Sequence, residues 1–170
     1  RADLAAVFDR KLFLEIIIAP RFAPDALESL ASKPHLRILA TEGAPVARPW
    51  ELRSAAGGVL LQFADMGFPE LDSLRCPSRR QPTESEMADL AFAWKVCRHV
   101  HSNAIVLARS EQIVGVGAGQ MSRIDSTHMA LRKAGARAHG AAMASDAFFP
   151  FPDCVQLAHQ SGVEIVIQPR

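Results

Sequence analysis

The chain has 170 residues, enough for a domain with a substantial hydrophobic core. Hydrophobic residues make up 49% and charged residues 22%, as in ordinary soluble globular proteins, and the formal net charge is +1. This balance argues against broad electrostatic binding to nucleic acid or to a membrane surface, and no apolar run approaches the roughly 20 residues that span a bilayer.

The N-terminal part of the chain predicts alternating helices and strands. Helices are expected at residues 2–11 and 25–32, and strands at residues 14–19 and 36–40. The β-branched run Ile16-Ile17-Ile18, stopped by Pro20, is typical of a buried strand. Residues 53–63 contain Gly57-Gly58 and predict either a bent strand or a hairpin.

A charged connector and a long helix follow. Residues 66–82 are rich in proline and charge, which favours a solvated connector. The sequence Thr83-Glu84-Ser85-Glu86 then matches a capping box, with Thr83 as the N-cap and Glu86 reaching back to it. The apolar spacing after this box predicts a helix that runs to about Val100.

The second half predicts a denser alternation of strands and helices. Strands are expected at residues 104–108, 112–117, 141–144 and 163–167, and helices at residues 126–134 and 153–161. Ser110-Glu111 is a plausible tight turn, so the first two of these strands predict a hairpin. The alternation favours a layered α/β domain with a mixed sheet, in which ligands usually lie at strand ends and helix N-termini.

A glycine-rich segment joins a strand end to a helix start. Gly115, Gly117 and Gly119 alternate there, and Arg123 follows. Glycine allows a backbone to approach a ligand closely, and a helix N-terminus with an arginine attracts anions. A simple bend around a packed strand explains the same pattern equally well, so both interpretations stay open. The segment is not a dinucleotide fingerprint, because Gln120 stands where a third spaced glycine is required.

The segment 144–153 combines acidic, aromatic and proline residues. Three phenylalanines lie in its predicted loop, namely Phe148, Phe149 and Phe151. An aromatic side chain in a loop is suited to form the wall of a pocket for a flat ligand. Asp153 either caps the following helix, which is the more ordinary interpretation, or serves in a site.

Polar residues mark the end of the long helix. His99 and His101 have no evident third metal ligand, so we interpret them as partners of exposed helix carbonyls. Asn103 either caps a turn or offers its amide to a ligand. The zinc deaminase signature, H-x-E with P-C-x-x-C, is missing from the sequence, which therefore predicts no metal site.

Cysteine usage favours a reducing compartment. The chain has three cysteines, Cys76, Cys97 and Cys154, and none forms a C-x-x-C pair. We therefore expect no disulfide framework, a cytoplasmic location, and each cysteine to be a small core residue. The chain begins with Arg1 and shows no signal-peptide pattern, and we expect both ends to be cuts in a longer chain.

Several long motifs, in order along the chain, resemble the transformylase region of the bifunctional AICAR transformylase and IMP cyclohydrolase family. They are Trp94–Val96, Ser102–Val106, Gly117–Arg123, Ala144–Phe151 and Val166–Pro169, with the earlier pieces Ile16–Pro20, Gly57–Gln62 and Arg80–Thr83. The similarity covers nearly the whole chain and is strongest from Phe92 onward.

The resemblance implies a fold and an activity. The fold is a three-layer, cytidine deaminase-like α/β fold with a mixed sheet that lacks the deaminase zinc site. Residues 1–75 would form the N-terminal α/β portion of the transformylase region, and residues 76–170 a second deaminase-like portion, truncated at its C-terminus. The activity is transfer of a formyl group from 10-formyltetrahydrofolate to the 5-amino group of AICAR, which gives FAICAR in de novo purine biosynthesis. The family implies a homodimer with sites at the subunit interface.

The resemblance also implies roles for individual residues. Asn103, Arg123 and Phe148 would contact AICAR, Asn103 is the candidate catalytic residue, and Ile124 and Asp153 would contact the folate. Pro152 replaces an Arg that is common in the family motif, which bears on the folate contact at Asp153.

The family's Lys-His pair lies outside this sequence, so we expect residues 1–170 to bind AICAR weakly and not to turn over. The alternative is a non-catalytic nucleotide-binding or assembly module derived from the same family.

Overall fold

The computed structural model describes residues 13–43, 49–65, 67 and 73–169. The chain divides into two compact units, Arg1–Ala64 and Asp65–Arg170. The predicted helix over residues 2–11 and part of the predicted connector lie outside the described residues.

Residues 13–43 and 49–64, the described part of the first unit, form one helix and two two-stranded sheets. Strands β1 (Ile16–Ala19) and β2 (Arg37–Ala40) are parallel, and helix α1 (Pro24–Ala31) connects them. Strands β3 (Trp50–Ala55) and β4 (Gly58–Phe63) pair antiparallel around a turn at Gly57, whose φ of 80° suits glycine. The hairpin, and not the bent strand, is therefore the correct interpretation of residues 53–63.

The prediction that the Ile16-Ile17-Ile18 strand is buried is wrong. Ile16 is 51% exposed and Ile18 is 63% exposed, while Ile17 is half-buried. Alternate residues of a strand point to opposite faces, so Ile16 and Ile18 share one face of β1. None of the described residues buries that face. A run of β-branched residues predicts a strand, but it does not predict whether one or both faces of the strand are covered.

The second unit is built on a four-stranded mixed sheet. Its strands are β5 (Ile105–Arg109), β6 (Gln112–Gly117), β7 (Ala142–Ser145) and β8 (Ile165–Ile167), in the spatial order β6-β5-β7-β8. Strand β5 is antiparallel to β6 and β7, and β7 is parallel to β8. The predicted α/β class with a mixed sheet is confirmed.

Helices cover both faces of this sheet. They are α2 (Glu84–Cys97), α3 (Arg123–Ala134) and α4 (Asp153–Gln160), with a 3₁₀ turn at Gly135–Ala138. Val106 and Ala108 belong to the core on the α2 side, whereas Ile105 and Leu107 belong to the core on the α3 and α4 side. The alternation of these four residues along β5 places apolar side chains in two separate cores, one on each face of the sheet.

The start of α2 confirms the predicted capping box. The Thr83 hydroxyl accepts from the Glu86 N–H at 3.3 Å, and the Glu86 carboxylate accepts from the Thr83 N–H at 2.7 Å. Hydrogen bonds from Arg80, and then the Thr83 N–H, lower the pKa of Glu86 to about 2. Glu86 therefore stabilises the fold above the ordinary pKa of a glutamate, and that contribution is lost as the pH falls toward 2.

The turn between β5 and β6 is held by α2. Ser110 and Glu111 have φ values of 52° and 53°, which non-glycine residues rarely adopt. The Asp89 carboxylate accepts from both of their N–H groups, at 3.0 and 2.7 Å. The hairpin predicted from Ser110-Glu111 is confirmed, and its turn depends on this tertiary contact.

The structure separates the three cysteines. Cys97 and Cys154 are buried, as predicted, and all three are free thiols. Cys76 is exposed, so its assignment to the core is wrong. Cys76 belongs to the connector before α2. Connecting segments usually run over the protein surface, so a small apolar residue there is not buried in a core.

Candidate functional site

One edge of the four-stranded sheet collects the loops that carry the predicted site residues. Because β5 runs opposite to β6 and β7, Ile105 at its start pairs with Gly117 and with Ser145 at their ends. The segments 101–103, 118–123 and 146–152 therefore meet at this edge, which we call the loop edge. The Phe149 N–H donates to the Gln168 side chain at 2.8 Å, which adds the segment after β8.

Two of the three alternating glycines serve packing. A Cβ on Gly117 would overlap the carbonyl oxygen of Ser126, and a Cβ on Gly115 would overlap that of Ala130. Helix α3 thus lies directly on β6, and only glycine permits that approach. Gly119 differs because it has a φ of 64° and open space around it. The packed-strand interpretation accounts for Gly115 and Gly117, and Gly119 forms the turn.

Asn103, two residues before β5, forms hydrogen bonds to other segments of the loop edge. Its side-chain amide donates to the Gln120 carbonyl at 2.8 Å, and its main-chain carbonyl accepts from the Ser126 hydroxyl at 2.7 Å. The amide N–H₂ therefore holds the turn before α3. The side-chain oxygen of Asn103 has no hydrogen bond within the described part of the chain, so it is available as an acceptor.

Helix α3 begins three residues earlier than predicted, and this places Arg123 at its first position. The Ser122 hydroxyl caps the helix by accepting from the Asp125 N–H at 3.2 Å. Arg123 Nη2 lies 3.4 Å from Asp146 Oδ1, and the two side chains are only 22% and 17% exposed. The second oxygen of Asp146 accepts a hydrogen bond from the Ser102 hydroxyl.

The Arg123 guanidinium keeps unused donors. It has five N–H groups. Its Nε is buried and has no hydrogen-bond partner among the described residues. An unsatisfied buried donor costs about 1–3 kcal/mol, so a native protein rarely keeps one without a use. The guanidinium therefore keeps hydrogen-bonding capacity that none of the described residues uses.

The three loop phenylalanines have different surroundings. Phe149 packs against the core on the α3 and α4 side of the sheet. Phe148 and Phe151 are 53% and 67% exposed. Two of the three rings are therefore available to cover a planar ligand, and only Phe149 is a core residue.

The N-termini of α3 and α4 lie close together at the loop edge. Helix α3 contacts α4. Burial raises the pKa of the Cys154 thiol in α4, whereas a hydrogen bond with Thr127 and the charge of Arg123, both in α3, act in the opposite direction. Ile124, half-buried in α3, is in the same turn as Arg123.

The interpretation of Asp153 as a helix cap is wrong. The N-cap of α4 is Pro152, and Asp153 is the first helical residue. Its carboxylate accepts from the Cys154 N–H at 2.8 Å, and the residue is otherwise exposed. An aspartate in a first helical turn is favourable for the helix dipole, and here it also leaves a carboxylate facing solvent.

All five residues singled out by the sequence therefore belong to one end of the second unit. Asn103, Arg123 and Phe148 lie on the loop edge, and Ile124 and Asp153 begin the two helices beside it. Sequence reasoning missed Ser102 and Asp146, which connect Asn103 to Arg123. The available signal was an acidic residue directly after a buried strand.

Two surface depressions lie elsewhere. One, of about 480 Å³, includes Asp89 and Glu111 at the opposite edge of the sheet. The other, of about 650 Å³, includes Pro20 and Thr41 in the first unit. Neither contains any of the five predicted residues. The loop edge is marked by the convergence of polar groups from several segments.

Two further features of the described residues bear on function. No group of three or more His, Cys, Asp or Glu side chains is placed to hold a metal ion in the ranges the structure describes. Within the same ranges, no helix has the length and apolar character required to cross a membrane.

Comparison with known proteins decides the family. A family model described as AICARFT/IMPCHase bienzyme matches residues 2–133, which is more than half of the chain. The chain belongs to the AICARFT/IMPCHase bienzyme family. The resemblance found in the sequence motifs is thereby confirmed.

Relatives of this AICARFT/IMPCHase chain share nearly half of its residues. The bifunctional purine biosynthesis protein PurH of Desulfitobacterium hafniense (strain DSM 10664 / DCB-2) is 48% identical over 159 residues, which cover 92% of this chain and 31% of that protein. PurH of Bacillus subtilis (strain 168) is 49% identical over 160 residues, which cover 93% of this chain and 31% of that protein. The chain thus corresponds to a region of a bifunctional purine biosynthesis enzyme and spans about a third of the length of these curated relatives.

Proposed function

We propose that this chain supplies part of the AICAR and folate site of a formyltransferase of de novo purine biosynthesis. The reaction transfers a formyl group from 10-formyltetrahydrofolate to the 5-amino group of AICAR and gives FAICAR. The observation that carries the proposal is the convergence of Asn103, Arg123 and Phe148 on the loop edge in a chain of this family.

The chemistry of these three residues suits AICAR. The ligand has a planar imidazole ring, a carboxamide and an amine. The half-exposed ring of Phe148 offers a face for the imidazole. The free side-chain oxygen of Asn103 can accept an N–H of the ligand, and the unpartnered Nε of Arg123 marks a guanidinium with donors left for an oxygen.

Positioning matters for this reaction because the AICAR amine is a weak nucleophile. Its lone pair is conjugated with the ring and the carboxamide. The amine nitrogen must attack the formyl carbon, the bond from that carbon to folate N10 must break, and one proton must pass from the amine to N10. Bringing the two reactants together can supply much of the rate, and a proton acceptor and oxyanion donors supply the rest. We assign to this chain the binding and orientation of the reactants.

The folate would lie beside the first turns of α3 and α4. Ile124 offers an apolar contact for the pterin ring system, and the exposed Asp153 carboxylate can accept pterin N–H groups. Pro152, which has no side-chain donor, is the N-cap that precedes α4, where the family motif commonly has Arg. We therefore expect a folate contact that relies on Asp153 without a neighbouring guanidinium.

The same proposal includes the wider organisation of the protein. It assigns a cytidine deaminase-like fold without zinc, with residues 1–75 as the N-terminal portion of the transformylase region and residues 76–170 as the second deaminase-like portion. It also places the enzyme in the cytoplasm, as a homodimer with sites at the subunit interface.

Phe148→Ala is expected to weaken AICAR binding about 10-fold, because a stacked aromatic contact and its buried area contribute about 1–1.5 kcal/mol. Titration calorimetry with AICAR measures the change. Phe151→Ala is the matched control, since it removes another exposed phenylalanine ring from the same loop, and we expect less than a twofold effect. Equal dissociation constants for the wild type and Phe148→Ala would remove Phe148 from the site.

A second titration separates the enzyme from a non-catalytic module of the same family. Tetrahydrofolate is added to the chain already saturated with AICAR. The formyltransferase proposal requires folate binding that Asp153→Asn weakens, whereas a nucleotide-binding or assembly module retains AICAR and gives no heat with the folate.

A further inference from the structure

The Asp146 carboxylate connects two of the elements that form the loop edge. One oxygen lies 3.4 Å from Arg123 Nη2 at the start of α3, and the other accepts from the Ser102 hydroxyl just before Asn103. The Asp146 N–H also donates to the Ala104 carbonyl at 3.3 Å, which fixes the backbone of this residue against β5. Both carboxylate oxygens are therefore engaged.

The ion pair with Asp146 occupies only part of the hydrogen-bonding capacity of the Arg123 guanidinium. Arginine–carboxylate pairs are frequently bidentate, with two parallel hydrogen bonds. Here a single Nη2 contact is made, and Nε stays buried without a partner among the described residues. A single hydrogen bond from Nη2 orients the Arg123 side chain and leaves other N–H donors of the guanidinium for a ligand.

We propose that Asp146 is a positioning residue. It holds the Arg123 guanidinium and, through Ser102, the peptide that carries Asn103, so that both groups face the same carboxamide-bearing ligand. The inference rests on the proposed function, because it takes Arg123 as a contact of AICAR. Holding a long side chain in its bound orientation before the ligand arrives raises affinity by lowering the ordering cost of binding.

A double-mutant cycle tests this role with the whole chain. AICAR dissociation constants are measured by calorimetry for the wild type, Asp146→Asn, Arg123→Ala and the double variant. We expect Asp146→Asn to weaken binding about 10-fold in the wild-type background and less than twofold when Arg123 is already alanine. Equal factors in the two backgrounds, or unchanged binding by Asp146→Asn, would overturn the positioning role.

Asp89→Asn is the matched control. Asp89 is also an aspartate whose two oxygens accept hydrogen bonds, but it serves the β5–β6 turn at the opposite edge of the sheet. A general loss of stability would weaken AICAR binding in both variants, whereas positioning affects Asp146→Asn alone. If Asp146→Asn does not fold, Ser102→Ala takes its place in the cycle, since it removes one of the two side-chain contacts of Asp146, and a threefold loss that disappears without Arg123 is expected.

A readout without ligand separates this proposal from the proposed function. The NMR signal of the Arg123 Nε–H group is followed in the wild type and in Asp146→Asn. We expect the substitution to shift the signal and to accelerate its exchange with water. If AICAR fails to bind the wild type but the signal responds, the ligand assignment fails and the positioning of Arg123 by Asp146 stands. An unchanged signal contradicts the positioning role whether or not AICAR binds.

Discussion

Gly117→Ala is expected to destabilise the second unit by about 3 kcal/mol, at the upper end of the range for overpacking a core. A Cβ at this position would overlap backbone atoms of Ser126, and a helix backbone cannot move aside as the end of a flexible side chain can. The strand and α3 would have to separate locally. Urea unfolding of the two proteins measures the loss.

Gly119→Ala provides the comparison within the same loop. Gly119 has a φ of 64° but nothing near its missing Cβ, so only the left-handed conformation is penalised, at about 1 kcal/mol. If both alanine variants lost the same stability, the close packing of α3 on β6 would not be the reason for Gly117. A Gly117→Ala protein that still folds is also expected to bind AICAR more weakly, because α3 carries Arg123.

Arg123→Ala is expected to weaken AICAR binding 10- to 100-fold, since hydrogen bonds to a charged group contribute about 1.5–3 kcal/mol. The substitution also leaves Asp146 without its cationic partner, so part of the effect arises from the disturbed network at the loop edge. Titration calorimetry with AICAR gives the dissociation constants.

Arg132→Ala is the control for the loss of a positively charged side chain from α3. Arg132 lies in the last turn of α3, is exposed, and is far along the helix from the loop edge. Arg132 has the same formal charge as Arg123, and we expect the Arg132→Ala substitution to change AICAR binding less than twofold. An equal loss for the two variants would indicate that AICAR responds only to the overall charge of the protein.

Local signals predicted the second unit well. The capping box at Thr83 and the helix end before Gly162 each depend on neighbouring residues in the sequence, and each is found in the structure. The order of strands and helices followed from the same kind of signal. The sheet order and the way the strands bring distant loops together depend on pairing over long distances in the chain, which these signals do not contain.

The candidate site was only half predictable for the same reason. Arg123 and Phe148 stand out by residue type and by motif, but the role of Asp146 exists only because β7 ends beside the start of β5. Alternating glycines give the same sequence pattern whether a ligand or a helix packs against them. At Gly117 it is the helix, because a Cβ there would overlap the backbone of Ser126. Likewise, the isoleucines of β1 predicted a strand, while their exposure depends on what covers the sheet.

An NMR titration of the labelled chain with AICAR tests whether the loop edge forms one ligand surface shared by Arg123 and Phe148. We predict that the largest amide shifts occur in segments 101–103, 118–124 and 146–149. Shifts concentrated at the β5–β6 turn around Ser110, or around Pro20 and Thr41 in the first unit, with the loop edge unchanged, would contradict the account.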